Sequence, residues 1–309
     1  MKIVFLDAAT VGSDISLAPI QELGQLVCYG TSAPQEALER VRDCEVLIVN
    51  KVKVTPELID AAPSLKLICE AATGVNNIDL EYAASKGIPV RNVAGYSTDS
   101  VVQTTFMHIL ALVGRSAYFD NSVKSGKYSR SGLFTDVSVP YRELAGKRMG
   151  IVGMGNIGTR VAKVADAFGM KVSYFSTSGT SHNTDYPSIS LEKLMSESDI
   201  VSIHAPYNSR TAGLIGMEQL RMMKPSAVIV NMGRGGIVDE QALADAVDNG
   251  WIAGAALDVF TSEPLPGDSP LMKAVHKDRL ILSPHIAWAS VEARERLVEK
   301  IAENIAAGW

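Results

Sequence analysis

Cysteine is scarce in this chain and cannot be fully paired. Cys28, Cys44 and Cys69 are odd in number, fall in the first quarter of 309 residues and show no metal-ligand spacing. A disulfide framework is excluded, and reduced core thiols of a cytosolic protein are the expectation. Long apolar runs are missing as well. No stretch approaches the ~20 residues of a membrane span, and the opening MKIVFLDAAT reaches Asp7 too early for a signal-peptide apolar region. Charge of one sign is not in excess: the formal net charge is −5 with the signs interspersed, which gives no electrostatic reason to bind nucleic acid or an anionic membrane. Tandem repeats and low-complexity tracts are also lacking. What remains is a soluble intracellular globule, and 47% hydrophobic residues suffice for one large core or two smaller ones.

The apolar residues come in short runs with helical stretches between them. KIVFLDA (2–8), CEVLIVN (44–50), LKLICEAA (65–72) and IPVRNVA (88–94) come first. RMGIVGMG (148–155), KVSYFS (171–176), DIVSIHAP (199–206), SAVIVNMG (226–233), AGAALDVF (253–260) and RLILSPHI (279–286) follow. Most are too continuously apolar for half-exposed antiparallel strands, so they read as parallel strands buried on both faces. Strands alternating with helices imply an α/β fold. Between the fourth and fifth runs lies a long helical pattern, VVQTTFMHILALVGRSAYFDNSVKSG, with Ser97 or Thr98 as its N-cap, and then the polar KYSRSGLFTDVSVPYRELAGK. This order predicts a first α/β domain, a connecting helix and a second α/β domain. The final SVEARERLVEKIAENIAAGW has helical apolar spacing and is expected to pack back on the first.

Glycine is concentrated where the second domain begins. In MGIVGMGNIG (149–158), Gly153, Gly155 and Gly158 have the spacing G-x-G-x-x-G, after an apolar run and before the helical pattern Thr159–Phe168. In that setting Gly153 allows a tight turn, Gly155 admits a pyrophosphate to the backbone and Gly158 brings helix and strand together. The helix N-terminus offers free N–H groups and a partial positive charge to the phosphates. A plain strand–helix turn is the weaker reading. The next strand should end in an acid that bonds the adenosine ribose. KVSYFS instead ends at Ser176, followed by Thr177 and Ser178. Serine does not repel a 2′-phosphate, yet no arginine follows nearby to attract one, and His182 is the only neighbouring source of positive charge. The expectation is NAD with NADP possible, and a modest preference for the former.

Three later strand ends carry chemistry: Arg234 in NMGRGGIVDE, Glu263 in ALDVFTSEPLP and His285 in LSPHIAWAS. Arginine clamps a carboxylate at two points, histidine transfers a proton near neutral pH, and a glutamate orients the histidine. Taken singly, each has an ordinary reading as a solvated loop residue or a structural histidine. Their joint position beyond successive strand ends, where open α/β sheets bind ligands, favours catalysis.

At this point the chain resembles the D-isomer-specific 2-hydroxyacid dehydrogenase family. The resemblance rests on ATGVNNIDL (72–80), NVAGYSTDSVVQTTF (92–106), ELAGKRMGIVGMGNIG (143–158), HAPYNSRTAGLI (204–215), NMGRGGIVDEQAL (231–243), GAALDVFTSEP (254–264) and SPHIAWAS (283–290), and covers nearly the whole chain. It implies two Rossmann-like doubly wound domains with parallel sheets. A cofactor domain, 98–287, is inserted into a substrate domain, 1–97, completed by 288–309. The active site is expected in the cleft between them, usually in a homodimer, with no metal. The resemblance places the catalytic roles at Arg234, Glu263 and His285. It adds cofactor contacts at Thr105, Asn156, Ile157, Ala205, Pro206, Met232 and Asp258, and substrate-carboxylate contacts at the backbone of Gly74 and Val75. GYSTDSVVQ and NKV (50–52) are most similar to the glycerate dehydrogenase (hydroxypyruvate reductase) group, which implies hydroxypyruvate with D-glycerate, or glyoxylate. The same fold and residues also serve in dinucleotide-responsive corepressor-type sensors. Lacking a long disordered extension or basic tail, this chain fits an enzyme better. Two departures stand out: Ser176 replaces the usual acid, and the chain stops at Gly308–Trp309 where many relatives continue, so some covering of the first domain is expected to be absent.

Overall fold

Alternate residues of the central strands feed two different cores, which is why the sequence shows unbroken apolar runs rather than a period of two. The computed structural model describes residues 1–180 and 183–309. It divides into two compact units, Met1–Ser97 with Ala289–Trp309, and Thr98–Trp288.

The first unit runs β1 (Lys2–Phe5), α1 (Ala18–Gln21), β2 (Gln25–Cys28), α2 (Pro34–Arg40), β3 (Val46–Val49), α3 (Pro56–Asp60), β4 (Leu67–Glu70), α4 (Leu80–Ser85) and β5 (Val90–Arg91). Its five strands pair in parallel in the order β2-β1-β3-β4-β5. The apolar runs do not announce β2. As an edge strand it is nowhere fully buried, so QLVC needs no continuous apolar character. The cysteines correct a second expectation. Cys44 and Cys69 are buried thiols pushed up to about 12 by burial, whereas Cys28 is exposed on that edge strand.

The second unit begins with α5 (Thr98–Gly114), α6 (Ser116–Lys124) and α7 (Lys127–Ser131). The sequence pattern reads as one helix here; the structure breaks it twice, with Arg115 at φ 52° and Gly126 at φ 72°. Left-handed residues end helices, and Gly114 beside Arg115 lowers helix propensity at the break. Then come β6 (Arg148–Val152), α8 (Asn156–Ala167), β7 (Lys171–Phe175), α9 (Leu191–Glu197), β8 (Ile200–Ile203), α10 (Met217–Met222), β9 (Val228–Asn231), α11 (Glu240–Asp248), β10 (Gly254–Leu257), α12 (Pro270–Lys273) and β11 (Leu280–Leu282). Among the described residues its six strands are all parallel, in the order β11-β10-β9-β8-β6-β7. On one face Met149, Ile151, Val230 and Ala256 pack with Phe106, Ile109 and Val161 of α5 and α8. On the other, Val152, Ile203, Ile229 and Leu257 pack with Leu194, Leu220 and Leu243 of α9, α10 and α11.

The chain then returns to the first unit as α13 (Val291–Ala306), whose Ala293, Leu297, Val298, Ile301, Ala302 and Ile305 form a buried stripe at helical spacing. Arg294 fixes it there, donating to both carboxylate oxygens of Asp14 at 2.6 and 2.9 Å and to the carbonyl of Val11 at 2.8 Å. No helix among the described residues is long and apolar enough to cross a membrane.

Glu70, at the end of β4, is fully buried. Its Oε2 accepts from Asn77 Nδ2 at 3.0 Å, while Oε1 has no partner among the described residues. Burial, reinforced by the charge of Asp7, pushes the carboxyl up to about 8 from an ordinary 4.5. Between those values the unfolded chain has lost the proton that the folded chain retains, so the stability contribution of this group falls as pH rises. Glu70→Gln keeps the shape and removes the titration. Its advantage over the parent in urea unfolding should be small near pH 5 and grow toward pH 8 by on the order of 2 kcal/mol. A pH-independent difference would break the link to Glu70.

Candidate active site

The glycine turn in the second unit is built by three separate constraints. Gly153 follows β6 at φ 92°, and a Cβ there would lie 3.0 Å from the backbone of Ala205, just past β8. A Cβ on Gly158 would collide with the carbonyl oxygen of Gly153, so α8 crosses too close to β6 for any side chain. A Cβ on Gly155 would meet nothing within 4 Å. The chain therefore crowds behind Gly155 and leaves open space in front of it. There α8 starts at Asn156, three residues before the sequence pattern does, presenting its first-turn N–H groups. This cradle lies between β6 and β8, where the strand order reverses, and a dinucleotide pyrophosphate fits it. Asn156 and Pro206 are exposed, Ile157 is half-buried, and Ala205 and Met232 are buried. Thr105 is fully buried, its hydroxyl donating to the Val101 carbonyl at 2.7 Å.

The rim at the end of β7 is where the structure adds most. Ser176 Oγ donates to the Thr180 carbonyl at 2.7 Å and lies 3.2 Å from Ser178 Oγ. His182 falls outside the described residues. The positive charge missing from the local sequence comes from the loop after β8: Arg210 Nη1 donates to the carbonyl of Ser178. Nothing in the linear order marks Arg210, since 32 residues separate it from that serine.

Arg234, Glu263 and His285 follow β9, β10 and β11, adjacent strands registered at Asn231, Leu257 and Leu282. Asn231 shapes the first loop, its side chain donating to the Arg234 carbonyl at 2.9 Å and accepting from Gly233 N at 3.0 Å. A Cβ on Gly235 would overlap the Phe260 carbonyl, so the arginine loop lies directly against the loop that carries Glu263. Within that second loop Glu263 Oε1 accepts from Phe260 N at 3.0 Å, and Oε2 faces His285 Nδ1 at 2.7 Å. A carboxylate on Nδ1 places a proton there and leaves Nε2 to face a substrate.

The histidine loop is held from below. Asp258 is buried; its Oδ1 accepts from Ser283 Oγ at 2.5 Å and Ile286 N at 2.9 Å, and its Oδ2 accepts from Ala287 N at 2.7 Å. His285 sits at φ 54°, a conformation costing a non-glycine residue about 1–3 kcal/mol. The amides gripped by Asp258 are the two that follow it. His204 is no competing proton donor: its Nε2 pairs with Ser202 Oγ at 2.8 Å, and burial pulls the ring down to about 3, so it stays neutral. Among the described residues no group of three His, Cys, Asp or Glu could hold a metal ion.

In the first unit, Gly74 and Val75 lie on the loop after β4. Asn77 anchors that loop, donating to the carbonyl of Val52 and to Glu70 Oε2, each at 3.0 Å. The neighbouring segment is gathered by buried Asp7, whose carboxylate accepts from the amides of Asn50, Lys51 and Val52.

The model of the D-isomer specific 2-hydroxyacid dehydrogenase NAD binding domain matches residues 106–287, more than half of the chain. The chain belongs to the D-isomer-specific 2-hydroxyacid dehydrogenase family. It is 38% identical over 298 residues to a glyoxylate reductase of Korarchaeum cryptofilum, covering 94% of this chain and 88% of the relative. With a hydroxypyruvate reductase of Blautia hydrogenotrophica it shares 34% identity over 313 residues, covering 99% and 96%. Among solved structures, the D-lactate dehydrogenase of Aquifex aeolicus complexed with NAD and lactic acid superposes with a TM-score of 0.85 at 31% identity, over 99% of this chain and 94% of that one. As a member of this family the chain is an NAD(P)-dependent oxidoreductase acting on CH–OH donors, and a corepressor-type sensor is not favoured.

In a 2-hydroxyacid dehydrogenase with this rim, a guanidinium beside Ser178 and no carboxylate among residues 176–180 would favour a ribose 2′-phosphate. Arg210→Ala should lower kcat/KM for NADPH about tenfold, the worth of one charge-assisted hydrogen bond, and leave that for NADH nearly unchanged. Equal losses with both cofactors would show that Arg210 supports the loop and does not read the phosphate.

Proposed function

We propose that this dehydrogenase catalyses reversible hydride transfer between the nicotinamide and a small 2-keto or 2-hydroxy acid, either the hydroxypyruvate/D-glycerate pair or glyoxylate, with His285 as the proton donor in the reduction direction. The observation that carries the reading is the 2.7 Å pairing of His285 Nδ1 with Glu263 Oε2, built from two loops that end neighbouring parallel strands. Substrate identity rests on the motifs GYSTDSVVQ and NKV and on the names of the two relatives.

Arg234 binds the substrate carboxylate through its planar guanidinium. The backbone of Gly74 and Val75 is proposed, on the family resemblance alone, as a further carboxylate contact. His285 Nε2 points its proton at the keto oxygen and releases it as that oxygen gains charge. Glu263 fixes the orientation of the ring through Nδ1. Gly153, Gly155, Asn156, Ile157 and Gly158 would hold the pyrophosphate of the nicotinamide dinucleotide, with Thr105, Ser176, Ala205, Pro206, Met232 and Asp258 along the remainder. When bound, the dinucleotide supplies the hydride. A cytoplasmic homodimer completes the proposal; the exposed apolar side chains of Leu133, Phe134 and Val137 support a second copy as partner.

Steady-state rates with hydroxypyruvate, glyoxylate and pyruvate, each with NADH and NADPH, test the substrate class; no turnover with any of them rejects it. His285→Ala should lower turnover by on the order of 10²–10⁴ with cofactor affinity little changed, and a near-parental rate rejects the proton donor. Arg234→Lys should raise KM for the keto acid because an ammonium cannot reproduce the two-point clamp. If only cofactor binding weakens, Arg234 does not bind substrate.

A further inference from the structure

His108 lies on α5, far in sequence from Glu263 and His285, and is 2% exposed. Its Nδ1 is 2.9 Å from the Thr104 carbonyl oxygen and its Nε2 is 3.1 Å from Ser283 Oγ. Ser283 Oγ is in turn 2.5 Å from Asp258 Oδ1. The carbonyl at one end and the carboxylate at the other only accept, so the three contacts require three protons. A neutral imidazole brings one N–H and Ser283 brings one O–H, which leaves the chain one proton short. Either Thr104 faces a bare Nδ1, or Nε2 and the serine oxygen face each other with no proton between them, or the serine proton turns to Nε2 and Asp258 loses a donor. An imidazolium supplies the third proton and fills every contact.

We propose that His108 is a positioning residue for the catalytic histidine: through Ser283 it sets how firmly Asp258 holds the two amides that follow His285. This rests on the assignment of His285 as proton donor. The lever is short, because Ser283 and Ile286 share Asp258 Oδ1 and Ala287 takes Oδ2. The same loop is tied to α5 a second time by Ser100, whose hydroxyl donates to the Ala287 carbonyl at 2.7 Å.

Burial lowers the His108 pKa below the usual histidine value, against the opposing pull of the Thr104 carbonyl and the Asp258 charge. Asp258, beyond β10, is the charged group acting on the ring. The other groups facing it, Thr104 on its own helix and Ser283 beyond β11, are neutral. Strands β9, β10 and β11, against which α5 packs, have no titratable side chain. On α8, Arg160, Lys163 and Asp166 are exposed, and Arg160 faces Asp99 at 3.6 Å; on α6, Lys124 pairs with Asp120 at 2.8 Å. The sign follows. Below the lowered pKa His108 is charged, Ser283 donates to Asp258 and the loop is held; above it the neutral ring competes for the serine proton, and each molecule in which that proton turns to Nε2 leaves Asp258 one donor short.

The parent enzyme should show, in the pH profile of kcat, an added rise on the acid side below the usual histidine range. His108→Leu should lose that inflection and lower kcat about 2- to 10-fold, the worth of one hydrogen bond, with KM for the keto acid unchanged. His108→Gln, whose amide can donate to Ser283 at any pH, should recover most of the rate without the inflection. A His108→Leu profile that superposes on the parent after scaling overturns the proposal. If that variant does not fold, Ser283→Ala breaks the same connection with a smaller change and is judged by the same two readouts. A His285→Ala variant with parental turnover overturns the reading of His285 and this inference together; superposed profiles overturn the role of His108 alone.

Discussion

The carboxylate of Asp258 is the point on which the candidate active site hangs. It takes three donors from the loop beyond β11, and two are the backbone amides immediately after His285. A non-glycine residue does not rest at φ 54° unless its surroundings insist. The buried charge of Asp258 supplies that insistence, because a burial cost of several kcal/mol is recovered only when its hydrogen bonds are satisfied. With the backbone so held, the imidazole meets Glu263, and Glu263 is itself pinned by the Phe260 amide.

This arrangement needs the parallel sheet beneath it. Asn231, Leu257 and Leu282 stand side by side in register, so the loops bearing Arg234, Glu263 and His285 leave the sheet at one level. Gly235 then lets the first loop lie against the second where a methyl group would collide. The cofactor cradle follows the same logic at the other end of the ligand: Gly153 and Gly158 crowd together so that Gly155 can stay open. In both places glycine acts through what it lets approach, and buried carboxylate or amide side chains hold the backbone in place.

The first unit uses the same device with a different carboxyl. Asp7 gathers three amides of the segment after β3, while Asn77 ties the loop after β4 to Val52 and Glu70. Both loops follow strand ends of a doubly wound parallel sheet, which is where such sheets bind their ligands. Glu70, buried and pushed up to about 8, holds its proton through neutral pH and so adds no bare charge to that core.

Much of this was written in the linear order. Parallel strands buried on both faces must be continuously apolar, and apolar runs marked ten of the eleven strands among the described residues; β2, on a sheet edge and nowhere fully buried, has no such run. The glycine motif and the residues Arg234, Glu263 and His285 were legible because turn geometry and acid–base chemistry restrict which residue types can serve. Other features depend on which segments the fold brings together. Arg210 reaches the serine rim from another loop, His108 meets Ser283 across 175 residues, and the helix after Thr98 breaks at a left-handed Arg115 where its own pattern continues. Local periodicity and short motifs follow from the chain's own geometry, so the sequence alone determined them. A hydrogen bond between residues far apart in the chain has no local signature, and only the tertiary structure decided it.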